Sequence, residues 1–145
     1  MDRLPAQTRP DTLQYDAFQV IRRNGAAVAF DPAKIAVMGS SAGGHLCAML
    51  ATIEPDDELG MCQEVTVRHT RPAAAVCLCS VLSCHYYPDA HSGIPKMLDR
   101  FLGTDEAQDP ETVRAASPID RIAEDTPPFL MIVGDADQTT PVPLH

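Results

Sequence analysis

An apolar, β-branched run, Lys34-Ile35-Ala36-Val37-Met38, ends directly in Gly39-Ser40-Ser41-Ala42-Gly43, and that turn opens a second apolar stretch from Ala42 to Ile53. The first run has the length and composition of a strand buried on both faces. The second carries Leu46, Ala48, Met49, Leu50 and Ile53, the pattern of a buried helix. Few folds accept a strand and a helix joined by five small residues. The chain must reverse sharply there, and a strand that feeds a helix belongs to an α/β arrangement with crossover connections.

The rest of the chain repeats that alternation. From Asp11 to Asn24 the positions Leu13, Ala17, Val20 and Ile21 fall on one face of a helix, with Gly25 as its stop. Asp31-Pro32 then breaks the chain before the first strand. Ala73 to Cys79 reads as a second buried strand and Pro128 to Val133 as a third. Between them, Pro95 to Phe101 predicts a short helix closed by Gly103, and Asp109-Pro110 opens another. Pro141 is placed to start one more helix. Residues 1–145 therefore read as one incomplete α/β domain, a parallel sheet flanked by helices, with no internal repeat or linker.

Charge and cysteine content narrow the partners. A net charge of −9 repels phosphate backbones, which argues against nucleic acid. No apolar run is long enough to cross a bilayer. Of five cysteines, Cys77, Cys79 and Cys84 lie in or beside an apolar stretch and read as small buried hydrophobes. That usage fits a reducing, cytoplasmic setting.

The glycine-rich turn carries the chemistry. A nucleophilic serine needs a tight strand-to-helix turn that lifts its hydroxyl above the sheet, with small residues on the inside of the bend. Gly39 and Gly43 stand two residues either side of Ser41, whereas the same spacing around Ser40 finds Met38 and Ala42. Ser41 is the expected nucleophile. The backbone N–H of Ala42, at the helix start, is the expected oxyanion donor. A phosphate-binding loop would want a Lys after the glycines or a G-x-G-x-x-G spacing, and neither is present.

The acid and the base come from elsewhere. Val133-Gly134-Asp135-Ala136-Asp137 puts two carboxylates directly after the third strand. Asp137, three residues after Gly134, is preferred, and Asp135 is the alternative. Either one can also serve simply as a turn acid. Of the histidines, His45 lies one turn below the elbow, where it packs or caps. His69 precedes the second strand, and His85 and His91 belong to the loop after it. His145 follows Asp137 by only eight residues, too few to form another helix and strand and return. The order nucleophile, acid, histidine puts the expected base beyond residue 145, with His91 as the best internal substitute.

These pieces, taken in order, resemble a known group. Asp31 to Leu46 is similar to the strand, elbow and helix of the α/β-hydrolase esterases related to acetylxylan and feruloyl esterases, the BD-FAE type, near the hormone-sensitive-lipase-like and dienelactone-hydrolase branches. Arg71-Pro72 through Ser83 resembles the next strand of that family. His91-Ser92-Gly93 and Phe101-Leu102-Gly103 resemble its variable cap-side segment, and Ser117-Pro118-Ile119 a recurring motif. Pro127 through Pro141 resembles its acid strand and loop. The resemblance implies Ser41 as nucleophile, Asp137 as acid, no metal and no cofactor. It implies hydrolysis of short-chain esters such as acetyl, on small-molecule or carbohydrate substrates including plant polysaccharides, through an acyl-enzyme. The family's upstream His-Gly-Gly oxyanion segment and its downstream histidine have no match here. A fragment lacking both ends, with little activity of its own and with sheet edges open to self-association, is therefore expected.

Three rival readings remain. A prolyl-oligopeptidase-type serine peptidase shares the elbow and the acid loop. An inactive hydrolase remnant would bind or scaffold only. A metal protein built on Cys77, Cys79, Cys84 and His85 lacks a clean second ligand pair.

Overall fold

The computed structural model describes residues 19–21, 23–25, 27–29, 34–54, 57, 71–85 and 93–140. The chain divides into two compact units, Met1–Asp31 and Pro32–His145.

In the first unit β1 (Gln19–Ile21) pairs antiparallel with β2 (Ala27–Ala29), in the register Gln19↔Ala29 and Ile21↔Ala27. This corrects the helix expected from Asp11 to Asn24. Val20 and Ile21 suit a strand as well as a helix face, and Asn24-Gly25 is a hairpin turn signal. Gly25 has φ +80°, which glycine adopts without steric cost. Residues 11–18 of the expected helix lie outside the described residues.

The second unit runs β3 (Ala36–Ser40), α1 (Ala42–Thr52), β4 (Ala74–Leu78), α2 (Ile94–Leu102), α3 (Pro110–Ala115), a 3₁₀ turn (Pro118–Arg121) and β5 (Phe129–Ile132). Its sheet has the order β3-β4-β5 and is parallel throughout, as the alternation of elements requires. The register pairs Ser40 with Leu78 and Leu78 with Ile132. The three strands therefore end level. The residues that follow them, where such sheets place their ligands, form one row.

The core lies between α1 and the middle strand. Ala48 and Ala51 of α1 are fully buried with Ala75 and Cys77 of β4 and Leu82 beyond it, and Val37, Cys47 and Phe129 pack around them. Small residues on both surfaces let the helix approach the sheet closely. Thr52, also buried, donates its hydroxyl to Ala48 O at 2.9 Å and so leaves no unpaired polar group.

Of the three strands expected to be buried on both faces, only β4 approaches that. Among the described strands β3 and β5 are the edges, and Met38 is 71% exposed, with Leu130, Met131 and Ile132 also open. An apolar run records what a strand can bury, not whether neighbours cover it. The expected helix at Pro95–Phe101 forms as α2, closed by Gly103 at φ +73°, but it buries no residue and leaves Phe101 79% exposed.

Local chemistry fixes α3. Asp109 caps it, accepting from Thr112 N–H at 3.1 Å and from the Thr112 hydroxyl at 2.7 Å, and Pro110 occupies the first turn. Ser117 then ties α3 to the segment after β4. Its buried hydroxyl donates to Val113 O at 2.8 Å and accepts from Cys84 N–H at 2.9 Å. At the opposite, N-terminal edge of the sheet, Arg71 bridges Glu54 after α1 and Asp125 before β5. Arg121 pairs with Asp57. The helix expected at Pro141 lies outside the described residues.

Candidate active site

Ser41 sits between β3 and α1 with φ 53° and ψ −123°, a region that side chains other than glycine rarely enter. Holding it there costs about 1–3 kcal/mol, which the surrounding packing must supply. The bend is fixed from both sides. Ser41 N–H donates to Leu78 O at 2.9 Å across the sheet edge, and Ser41 O accepts the first helical bond, from His45 N–H at 3.1 Å.

The consequence for the side chain is the central feature. A serine at a helix N-cap ordinarily turns its hydroxyl back onto the first-turn N–H groups. Ser41 makes no such cap bond, and the residue is exposed. Its hydroxyl is therefore unspent. The first-turn N–H groups of α1, with Ala42 leading, keep their positive end unneutralised, since no acidic side chain lies in that turn.

The glycines work differently from the expectation. A Cβ on Gly39 would lie 2.3 Å from the Gly43 carbonyl carbon and oxygen, so Gly39 must be glycine. A Cβ on Gly43 would meet nothing within 4 Å. The second tight position is Gly44, where a Cβ would fall 1.7 Å from the buried Ser80 hydroxyl. The bend therefore needs glycine at positions 39 and 44, while position 43 contributes only the backbone that Gly39 packs against.

Asp137 follows β5 in a turn closed by its own N–H to Gly134 O at 3.1 Å. Oδ1 accepts from Thr139 N–H at 2.8 Å and Thr140 N–H at 2.9 Å, and Oδ2 from the Thr140 hydroxyl at 2.9 Å. These donors, Thr140 foremost, hold the carboxyl below its ordinary range and so keep it ionised. Oδ2 retains a lone pair for one further donor, as a carboxylate that orients an imidazole must. Asp135 is exposed and makes no hydrogen bond among the described residues.

Neither described histidine bonds to Ser41. His45 Nδ1 donates to Val81 O at 2.7 Å, the packing role expected below the elbow. His85 donates from Nδ1 to Glu106 at 2.6 Å and from Nε2 to Asp120 at 2.5 Å. Both carboxylates push its pKa up, and both ring nitrogens are engaged with them rather than with Ser41. His69, His91 and His145 lie outside the described residues. Cys77 and Cys84 are buried, and burial raises their thiol pKa. Cys77 Sγ donates to Gly44 O and Cys84 Sγ to Ala116 O, each 3.3 Å away.

An apolar groove of about 510 Å³ runs beside Leu82, Ile119, Ile122, Phe129 and Met131. It includes neither Ser41 nor Asp137 and lies apart from this chemistry. Two residues to which the sequence gave no part in this site hold it: Thr140, which grips Asp137, and Cys79, whose φ is +45°. Thr139-Thr140 directly after an aspartate was a readable turn signal. Cys79 reads in the sequence as a small buried hydrophobe, and nothing there marks its left-handed turn.

Known proteins resemble this chain. Probable carboxylic ester hydrolase LipM of Mycobacterium tuberculosis is 34% identical over 118 residues, which make up 77% of this chain and 26% of LipM. The chain thus spans about a quarter of that relative's length. The solved structure of Thermogutta terrifontis esterase 2 phosphonylated by sarin superposes with a TM-score of 0.58 at 29% identity, covering 78% of this chain and 39% of that one. An acetyl ester-xyloside bifunctional hydrolase from Caldicellulosiruptor lactoaceticus gives 0.57 at 27%, covering 79% and 39%. The three-stranded parallel sheet with its flanking helices is part of an α/β-hydrolase fold. The BD-FAE family profile matches from residue 3 to residue 144, all but the two ends of the sequence, and the chain belongs to that family.

Proposed function

We infer that the chain carries the nucleophile and the acid of a serine carboxylic-ester hydrolase. One observation carries this reading: Ser41 occupies an N-cap yet keeps its hydroxyl off the helix it caps, leaving both an exposed nucleophile and free N–H donors beside it. Ser41 Oγ attacks the ester carbonyl and passes its proton to a histidine C-terminal to Asp137 in chain order. The carbonyl oxygen, now negative, accepts from Ala42 N–H at the positive end of α1. Collapse expels the alcohol, and water then cleaves the acyl group from Ser41. Asp137, ionised by its Thr140 and Thr139 donors, orients the histidine and stabilises it as imidazolium.

Short acyl groups, acetyl above all, on a carbohydrate alcohol are the proposed substrates. The acetyl ester-xyloside hydrolase among the structural neighbours supports this choice. The test is hydrolysis of a 4-nitrophenyl ester series and of acetylated xylooligosaccharides by the natural polypeptide that carries these residues. Acetyl esters are expected to give the highest kcat/KM, and Ser41→Ala to lose at least about 10³-fold. Activity that survives Ser41→Ala would overturn the reading.

A further inference from the structure

Among the described residues two non-glycine positions have positive φ, Ser41 at 53° and Cys79 at 45°. They follow adjacent strands that end level, so they stand side by side on the sheet's C-terminal edge. The Ser41 conformation is explained by the exposed hydroxyl it creates. Nothing above explains Cys79, where an L side chain is held in backbone space that favours glycine.

Its bonds show what the turn does. Cys79 N–H donates to Ile132 O, at the end of β5, at 2.8 Å. Its carbonyl lies 3.2 Å from the Thr140 hydroxyl, which shares its one hydrogen between this carbonyl and Asp137 Oδ2 at 2.9 Å, while Thr140 N–H donates to Asp137 Oδ1. One residue earlier, Leu78 O accepts the Ser41 N–H at 2.9 Å. One residue later, the fully buried Ser80 folds its hydroxyl back to Leu78 O at 3.1 Å and fills the space beside Gly44 in α1. Three consecutive residues thus touch the elbow on one side and the acid loop on the other. An extended backbone at position 79 would carry β4 straight on and take its carbonyl away from Thr140.

We propose that Cys79 is a positioning residue whose left-handed turn locks the Ser41 elbow and the Asp137 loop into one unit. The proposal rests on the reading of Ser41 and Asp137 as nucleophile and acid. The backbone turn does this, and the thiol is a minor donor to Asp137 after Thr140 and Thr139.

Two variants and two readouts test it in the natural polypeptide. Cys79→Gly keeps the turn, since glycine enters positive φ freely. Cys79→Val opposes it, since a β-branched residue there is a genuine outlier. On an acetyl ester, Cys79→Val is expected to lower kcat about tenfold or more with KM within about twofold, because misplacement acts on the reacting geometry. Cys79→Gly is expected to hold kcat within about threefold. An undiminished kcat in Cys79→Val, or an equal fall in both variants, overturns the proposal.

The second readout is amide hydrogen exchange. Cys79→Val should speed exchange at Ser41 and Thr140 together, with Ala75, bonded to Pro128 O at the far end of β4, unchanged. Cys79→Gly should leave all three amides as they are. Acceleration at only one loop, or at Ala75 as well, overturns a positioning role. If the unmodified polypeptide hydrolyses no ester, the hydrolase reading fails alone, and exchange still decides what Cys79 does.

Discussion

Gly43→Ala and Gly44→Ala make the same change at adjacent positions of α1, and the structure predicts opposite signs. A Cβ at Gly43 enters open space, so the substitution gains only helix propensity, up to about 1 kcal/mol. A Cβ at Gly44 arrives 1.7 Å from Ser80 Oγ, 2.9 Å from Ser80 Cβ and 2.9 Å from Gly39 O. Rotating the Ser80 hydroxyl relieves only the first contact and gives up its bond to Leu78 O, while Ser80 itself has no exposed surface. Overpacking of this kind costs about 1–3 kcal/mol, which outweighs the propensity gain. Both variants gain the same propensity, so the neighbours should differ by the overpacking cost, about 1–3 kcal/mol in urea unfolding followed by circular dichroism, or roughly 4 °C in Tm per kcal/mol. Adding Ser80→Ala to Gly44→Ala should recover part of the loss, because the Cβ and Gly39 contacts remain. Equal stability of the two glycine variants would refute the packing described at the elbow.

Other predictions follow from single groups. Ser117→Ala removes the buried acceptor of Cys84 N–H and the donor to Val113 O, and should cost about 1–3 kcal/mol in the same unfolding assay. His85 has a raised pKa in the folded chain, so its stabilising contribution is complete below about pH 6.5, the unfolded value, and fades as pH rises through the folded one. Unfolding at pH 6 and pH 9 should show that loss, and His85→Ala should flatten it. Asp137 is shifted the opposite way: its contribution is present above about pH 3.9 and is lost as pH falls through its lower folded value. A carboxyl titration followed by ¹³C NMR should show Asp137 protonating below the ordinary carboxylate range on acidification, and Thr140→Val should bring it back toward that range.

The elbow could be read from the sequence because its demands are local: small residues at fixed offsets, a strand before and a helix after. The parallel order of β3, β4 and β5 was legible for the same reason, since alternating elements force crossovers. What escaped was set by distance or by covering surface. Val20 and Ile21 satisfy two periodicities, and the turn at Asn24-Gly25 decided between them. The apolar runs of β3 and β5 gave no sign of which faces would stay open. The need for glycine at position 44 comes from Ser80, and the hold on Cys79 comes from Thr140, 61 residues away. Contacts of that span leave no local pattern.

The account depends on one hydroxyl being presented by a bend in the chain. A fluorophosphonate probe, followed by proteolysis and mass spectrometry of the natural polypeptide, tests this directly. A single adduct on Ser41, absent from Ser41→Ala and slowed by Asp137→Asn, is the predicted result. Labelling of Ser40 instead, or labelling that persists in Ser41→Ala, would contradict it.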